Sequence, residues 1–347
     1  MLYFVGLGID QSPSLKALEE LRRCDHVYYE SYTSPRVNAD FPSQISNSGE
    51  KMKIEVVKRE FVEDGRKILE DSKKTNIALV SSGDPMVATT HQELRTRAIK
   101  EGIETRILHG SSILCSVGGE LGLHSYNFGR IVTITREPLQ YTAYNTIYGN
   151  LLRGLHTTIL LEWDESHGFF LEPKAAAKGL EDAERDLRHE VLDSSTFVLV
   201  ASRLGSDDVL THGLTFEELK NADLGNPPHV LVLPGKLHYT ELEALSAILG
   251  RNVESIPDNT RAIAKLSRRM VQKYTKKTLD ALARAKKSAG DKNKLNFADV
   301  FENVECYTRD SERFLNEGRE ELAVLSIGYA EGLLDSLRFS GLLEFEW

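Results

Sequence analysis

Short apolar runs alternate with helix-period patterns over the first two-thirds of the chain. Runs of about four to eight apolar residues suit buried strands, and apolar residues at three- and four-residue spacing suit amphipathic helices. Leu2–Leu7 is the first run. Ser12 then offers an N-cap, Pro13 fits a first helical position, and Leu15, Leu18 and Leu21 recur on one face of the following helix. His26–Tyr32 reads as a strand, Phe61–Lys73 as a charged helix, Asn76–Ser81 as a strand, Thr90–Lys100 as a helix and Thr105–Leu108 as a strand. The alternation resumes with strands at Ile131–Thr135, Thr157–Leu161, Phe197–Ala201 and His229–Leu233. Helical patterns near Tyr144–Arg153, Pro173–Val191 and Phe216–Ala222 lie between them. Strands alternating with helices indicate α/β architecture with largely parallel sheets.

The texture changes after about Arg251, where strand signals stop. Asp258 or Asn259 can cap a long helix running through Ala289, with a turn at 290–293 ending it. A second helix, Phe297–Asn316, presents Val300, Val304 and Tyr307 on one face, and Gly318 breaks the pattern. A third carries Leu322, Leu325, Tyr329, Leu333 and Leu337 at helical spacing. Three amphipathic helices make a small bundle appended to the α/β part. A division near 108–128, which Gly118 and Gly119 make loop-prone, gives three units: 1–108, 109–250 and a helical 258–347. The length, 347 residues, supports two or three domains.

Charge changes the picture only locally. The chain has 43 basic and 52 acidic residues, a net charge of −9, which argues against indiscriminate coating of nucleic acid or anionic membrane. Yet residues 261–287 hold ten cations and one acid, Asp280. A solvated face is the ordinary reading of that run; contact with RNA or the ribosome is the sharper one. No stretch approaches the roughly 20 apolar residues of a membrane-spanning helix, and the first residues lack the features of a signal peptide. Cys24, Cys115 and Cys306 match no metal spacing and read as reduced, buried thiols of a cytoplasmic protein.

Candidate chemistry clusters after strands. In Gly6-Leu7-Gly8 a missing Cβ lets backbone approach a ligand, but Gln11 stands where a dinucleotide fingerprint needs glycine. Ser81-Ser82-Gly83-Asp84-Pro85 follows a strong strand and precedes a helix, placing it at the carboxyl edge of a sheet, where open α/β folds bind ligands. Asp84 there is either a ligand acceptor or a turn residue. Thr89 and Thr90 can cap the next helix, while His91 is polar lining, a base or structural. Ser111-Ser112-Ile113 offers backbone groups to a ligand or caps a helix, and His229 is equally open. No catalytic triad, P-loop or zinc-like cluster is evident, so no metal is expected.

Taken together, LYFVGLGI, HVYYESYTS, SGDPMVATTHQELRTRA, HGSSI, GLHSYNFG and GNPPHVLVLPGKLH resemble, in order and spacing, the diphthine synthases, a family of tetrapyrrole-methylase-like methyltransferases. The resemblance spans about residues 1–250. The tail resembles a small helical domain of unknown function found in archaeal proteins. The resemblance implies two α/β subdomains with an S-adenosyl-L-methionine cleft between them, a homodimer, and methylation of the amino group of a 3-amino-3-carboxypropyl histidine in translation elongation factor 2. It places cofactor contacts on Ile9, Asp84, Val87, Ser112, Ile113, Leu161, Leu204 and His229, and assigns no catalytic base. Two readings compete with it: methylation of a tetrapyrrole ring, which the architecture permits, and a non-catalytic RNA- or ribosome-binding protein.

Overall fold

A computed structural model describes residues 1–34, 53–260 and 265–347. The chain divides into two compact units, Met1–Ala262 and Ile263–Trp347.

The first unit contains two lobes, each built on a five-stranded sheet. The first lobe runs β1 (Leu2–Gly6), α1 (Leu15–Leu21), β2 (His26–Glu30), β3 (Lys53–Val57), α2 (Arg59–Asp64), α3 (Arg66–Ser72), β4 (Ile77–Ser81), α4 (His91–Lys100) and β5 (Thr105–Leu108). Its strands are all parallel, in the order β3-β2-β4-β1-β5. Successive side chains of a strand face opposite sides. Tyr3, Val5, Val27, Ala78 and Val80 therefore pack with α1 on one face. Leu2, Phe4, Tyr28, Ile77 and Leu79 pack with α3 and α4 on the other. Burial on both faces is why these strands read as continuous apolar runs.

The second lobe runs α5 (Ile113–Glu120), β6 (Val132–Ile134), α6 (Tyr141–Leu151), β7 (Thr157–Leu161), β8 (Trp163–Asp164), β9 (Phe169–Phe170), α7 (Pro173–Leu187), β10 (Phe197–Ser202), β11 (Leu210–Thr215), α8 (Phe216–Leu219), β12 (His229–Leu233) and α9 (Tyr239–Leu249). Its sheet order is β11-β10-β12-β7-β6, and β8 and β9 form a separate hairpin. Only β6 and β7 pair parallel; the β7–β12, β10–β12 and β10–β11 pairs are antiparallel. The expectation of largely parallel sheets thus holds for the first lobe and fails for the second. The link between β10 and β11 spans only residues 203–209, too short for the crossover that parallel neighbours require.

Several local expectations are corrected. Ser14, not Ser12, caps α1 by accepting from the Ala17 amide, and Leu15 is 80% exposed because the buried face is carried by Ala17 and Leu21. The helix over 61–73 is two helices, broken where Gly65 takes a left-handed conformation (φ 63°). Residues 118 and 119 lie inside α5 rather than in a loop. Thr90 precedes α4 without a side-chain cap bond; its hydroxyl pairs with Tyr32. Of the cysteines only Cys24 is buried, while Cys115 is exposed.

The second unit is a three-helix bundle of α10 (Leu266–Asn296), α11 (Ala298–Asn316) and α12 (Glu320–Phe339). Val271, Leu282, Phe301, Val304, Ile327 and Leu334 form its core. The stripe expected on α12 holds in part: Leu337 is buried and Leu333 packs against the core, but Leu325 and Tyr329 are 67% and 55% exposed, and Ala323, Ile327 and Ala330 face inward. The side-chain amide of Asn259 bonds Phe197 and Pro234 in the first unit, and the helix start that Asp258 or Asn259 was expected to cap lies outside the described residues. The backbone leaves helical geometry at Gly290, but α10 resumes to Asn296. Within the bundle Lys265 pairs with Glu320, Lys277 with Glu331 and Lys286 with Glu305, which relieves the self-repulsion of the basic run. No helix among the described residues is long and apolar enough to cross a membrane.

Candidate functional site

Strands β4, β1 and β5 are neighbours, so the loops leaving their carboxyl ends meet. The Gly8 and Gly83 amides each donate to the other's carbonyl, at 3.1 and 2.9 Å, and the Ile9 amide donates to Ser111 Oγ at 3.2 Å. A Cβ at Gly6 or Gly110 would strike the Gly83 carbonyl, so glycine is required for the three loops to close against one another. Main chain, rather than long side chains, therefore forms this edge of the first lobe.

A cavity of about 190 Å³ opens between this edge and the second lobe. Ile9, Asp84 and Val87 line it from the first lobe. Ser112 and Ile113 line it from the start of α5, and Leu161, Leu204 and His229 from the ends of β7, β10 and the start of β12. All eight residues singled out in the sequence, drawn from six separate segments, thus share one cavity. Ser112 makes no side-chain cap bond and instead contacts Cys115 Sγ at 2.9 Å. The first amides of α5 have no intrahelical acceptor, as at any helix start.

The polar groups are held rather than loose. Asp84, 8% exposed, accepts from the Met86 amide at 2.9 Å through Oδ1, and its Oδ2 lies 2.7 Å from His109 Nδ1. It is therefore a turn residue and a cavity-lining carboxylate at once, with lone pairs remaining for a ligand. His91 is fully buried; its Nδ1 donates to the Pro85 carbonyl at 2.9 Å. Burial holds its pKa down at about 4, against the opposing effect of that hydrogen bond, so it is neutral and braces the Asp84 loop. His229 is half-buried, with Nδ1 2.7 Å from Ser202 Oγ, and burial lowers its pKa as well. Glu30, at the end of β2, is buried; desolvation raises its pKa while the Thr33 hydroxyl and the Tyr32 and Thr33 amides oppose.

Ser82 of the Asp84 loop also lines the cavity, as does Gln11, while Thr33, Trp163, Phe170 and Pro228 escaped sequence reasoning as site residues. Trp163 and Phe170 come from the β8–β9 hairpin, two residues per strand, which is too short to give a periodic signal, and their rings stack at 4.2 Å. Trp163, Phe170 and Pro228 also border an adjoining cavity of about 380 Å³, together with Ser31, Glu165 and Arg203. Ser31 Oγ donates to Glu165 Oε1 at 2.5 Å, tying the first lobe to the second across the cleft. No cluster of three or more His, Cys, Asp or Glu side chains suited to a metal occurs among the described residues.

Residues 1–220 match the family described as Tetrapyrrole (Corrin/Porphyrin) Methylases. Residues 273–343 match a second family, described as Protein of unknown function (DUF357). A diphthine synthase of Methanosarcina mazei is 38% identical over 255 residues, covering 71% of this chain and 94% of the relative. One of Methanosarcina acetivorans is 39% identical over 258 residues, covering 71% and 94%. A crystal structure of a diphthine synthase superposes with a TM-score of 0.65 at 31% identity, covering 73% of this chain and 97% of that one. A structure described as a putative diphthine synthase from Entamoeba histolytica gives 0.63 at 27% identity, covering 72% and 98%.

Proposed function

Because this chain belongs to the tetrapyrrole methylase family, among its diphthine synthases, we propose that it methylates the 3-amino-3-carboxypropyl histidine of translation elongation factor 2. S-adenosyl-L-methionine, when bound, supplies the electrophilic methyl group for diphthamide biosynthesis. The observation that carries the assignment of the site is the convergence of eight residues from six segments on a single cavity between the lobes.

The cavity suits that cofactor. Its walls at Ile9, Ile113, Leu161 and Leu204 are apolar and can pack against a purine, while Asp84 can accept hydrogen bonds from hydroxyl or amino groups. The glycine loops let main chain approach where a Cβ would intrude. His229 and Ser202 hold each other at the opposite wall.

Methyl transfer to an amine chiefly needs alignment of the reacting atoms at near-attack distance. The fixed loops and the lobe-to-lobe bond from Ser31 to Glu165 supply that alignment by restricting how the lobes move. The acceptor amine must be neutral to react. The α-amino terminus of a peptide titrates near ~7.7–8.0; the free carboxylate on the same carbon holds the acceptor's proton more tightly, so the site itself must favour the neutral form. Burial in the cleft favours that form. The same reading makes the enzyme a cytoplasmic homodimer, which sedimentation of the purified protein tests.

The decisive experiment incubates the pure protein with S-adenosyl-L-methionine and an elongation factor 2 carrying the unmethylated group, then measures the factor's mass. Successive methyl increments on the modified histidine are expected. An unchanged factor, with the cofactor demonstrably bound, would overturn the assignment, and methylation of a porphyrinoid instead would move the chain to ring chemistry.

A further inference from the structure

We propose that the second cavity, beyond the Trp163–Phe170 wall, is a subsite for the α-amino-α-carboxylate head of the acceptor side chain, with Arg203 binding the carboxylate and Glu165 facing the nitrogen. This rests on the function proposed above.

Four observations carry it. First, the cavity borders the cofactor cavity and shares Trp163, Phe170 and Pro228 with it, so a group held there reaches the place where a methyl would be delivered. Second, among the described residues its lining holds one cation and one anion, Arg203 and Glu165, as a zwitterionic head requires. Third, Trp163 Nε1 is buried and has no hydrogen-bond partner among the described residues, a donor left for a ligand. Fourth, Arg203 has a left-handed backbone (φ 53°), a conformation that costs free energy away from glycine and concentrates at functional sites.

The chemistry of each group fits. Asp208 engages Arg203 through Nε, leaving the terminal amino groups of the guanidinium for a second carboxylate. Each methylation leaves the acceptor nitrogen positively charged, so a carboxylate fixed beside it by Ser31 favours the charge as it develops. Successive methylations also remove N–H donors. The indole face of Trp163 keeps its attraction for the cation when hydrogen bonds can no longer be made.

The same head group occurs at the methionine end of the cofactor, and the test separates the two sources. The chain has two tryptophans, so Trp347→Phe leaves Trp163 as the sole indole reporter. In this full-length background, saturated with S-adenosylhomocysteine, 2-amino-4-(imidazolyl)butanoate is titrated and Trp163 fluorescence followed. A saturable change is expected, weakened at least about tenfold by Arg203→Gln, while S-adenosylhomocysteine affinity measured by calorimetry stays within about twofold. The decarboxylated probe, 3-(imidazolyl)propylamine, should bind the unaltered site at least about tenfold more weakly, a comparison that needs no folded Arg203 variant. Equal binding of the two probes, no binding of the first, or loss of S-adenosylhomocysteine in Arg203→Gln would each overturn the subsite. Carboxylate-dependent probe binding with no methylation of elongation factor 2 would sink the proposed function and leave the subsite standing. Methylation without such binding would do the reverse.

Discussion

Gly205 packs against Ile9 of the other lobe with no room for a Cβ, and Gly205→Ala should loosen both the fold and the cofactor site. The residue follows Leu204 of the cavity wall and has φ 92°. A Cβ there would lie 2.9 Å from the Ile9 carbonyl carbon, carbonyl oxygen and Cγ1. Carbon contacts are comfortable at about 3.5–4.0 Å, so the neighbours must separate by roughly 0.6–1.1 Å. Two of the three atoms are backbone within the glycine-locked loop after β1, which cannot swing aside as a side-chain tip would. The positive φ costs about 1–3 kcal/mol for a residue with a Cβ, and overpacking a further ~1–3 kcal/mol. Roughly 2–6 kcal/mol must therefore appear as lost stability, as displacement of Ile9 from the cavity, or as both. Thermal unfolding followed by circular dichroism should show a midpoint lowered by roughly 4 °C or more. Calorimetric titration with S-adenosylhomocysteine should show binding weakened at least about tenfold. Gly102→Ala is the control: it has φ 74° and nothing within 4 Å of its added Cβ, so it carries the backbone cost alone and should leave affinity untouched. A Gly205→Ala protein that melts and binds like the unaltered one would refute the close-packing argument.

Three further outcomes follow from the same geometry. The pKa of His91 is lowered from 6.5 to about 4 by burial, so its contribution to stability is complete above pH ~6.5 and is lost as pH falls towards ~4. The loss amounts to about 3 kcal/mol at most, and urea unfolding across this range should show His91→Gln with a shallower pH slope; identical slopes would remove His91 from the account. Asp84→Ala should weaken cofactor binding by about 1–3 kcal/mol, and unchanged affinity in a folded protein would return Asp84 to its turn alone. A fragment ending at residue 262 should fold and bind cofactor, whereas one ending at 250 should be roughly 4–6 kcal/mol less stable. The shorter fragment loses the buried Ile256 and the three hydrogen bonds between Asn259 and the backbone of Phe197 and Pro234, and equal denaturant midpoints would contradict this.

The fully buried strands were the most legible elements. Leu2–Gly6, Ile77–Ser81 and Phe197–Ser202 announce themselves as apolar runs, because burial on both faces leaves no polar alternation to confuse them. Two of the four edge strands were not: Lys53–Val57 and Leu210–Thr215 carry Lys, Glu, Thr and His on their open sides, and neither was foreseen, whereas the edges β5 and β6 were. The antiparallel second sheet was missed because periodicity does not encode strand direction, which here follows from the length of the connections. The cofactor-cavity residues were legible as motifs, yet only as a set carried by resemblance. Leu161 and Leu204 stand in undistinguished sequence and acquire meaning only where β7 and β10 end beside the Asp84 loop. The adjoining cavity gave no signal, since Glu165 and Trp163 sit on a hairpin too short to show a period and Arg203 is set by a turn.

The place of β1 in its sheet also bears on how the chain is born. All five of its residues are buried, and its two neighbours are β4 and β5. The strand must therefore wait for residues 77–81 and then 105–108, roughly 100 residues of further synthesis, before both flanks are covered. At about 5–20 residues per second that interval is on the order of 5–20 s. During it an apolar segment with unpaired edges is exposed outside the ribosome, so the first lobe depends on whatever shields nascent chains more than a sheet built from adjacent hairpins would.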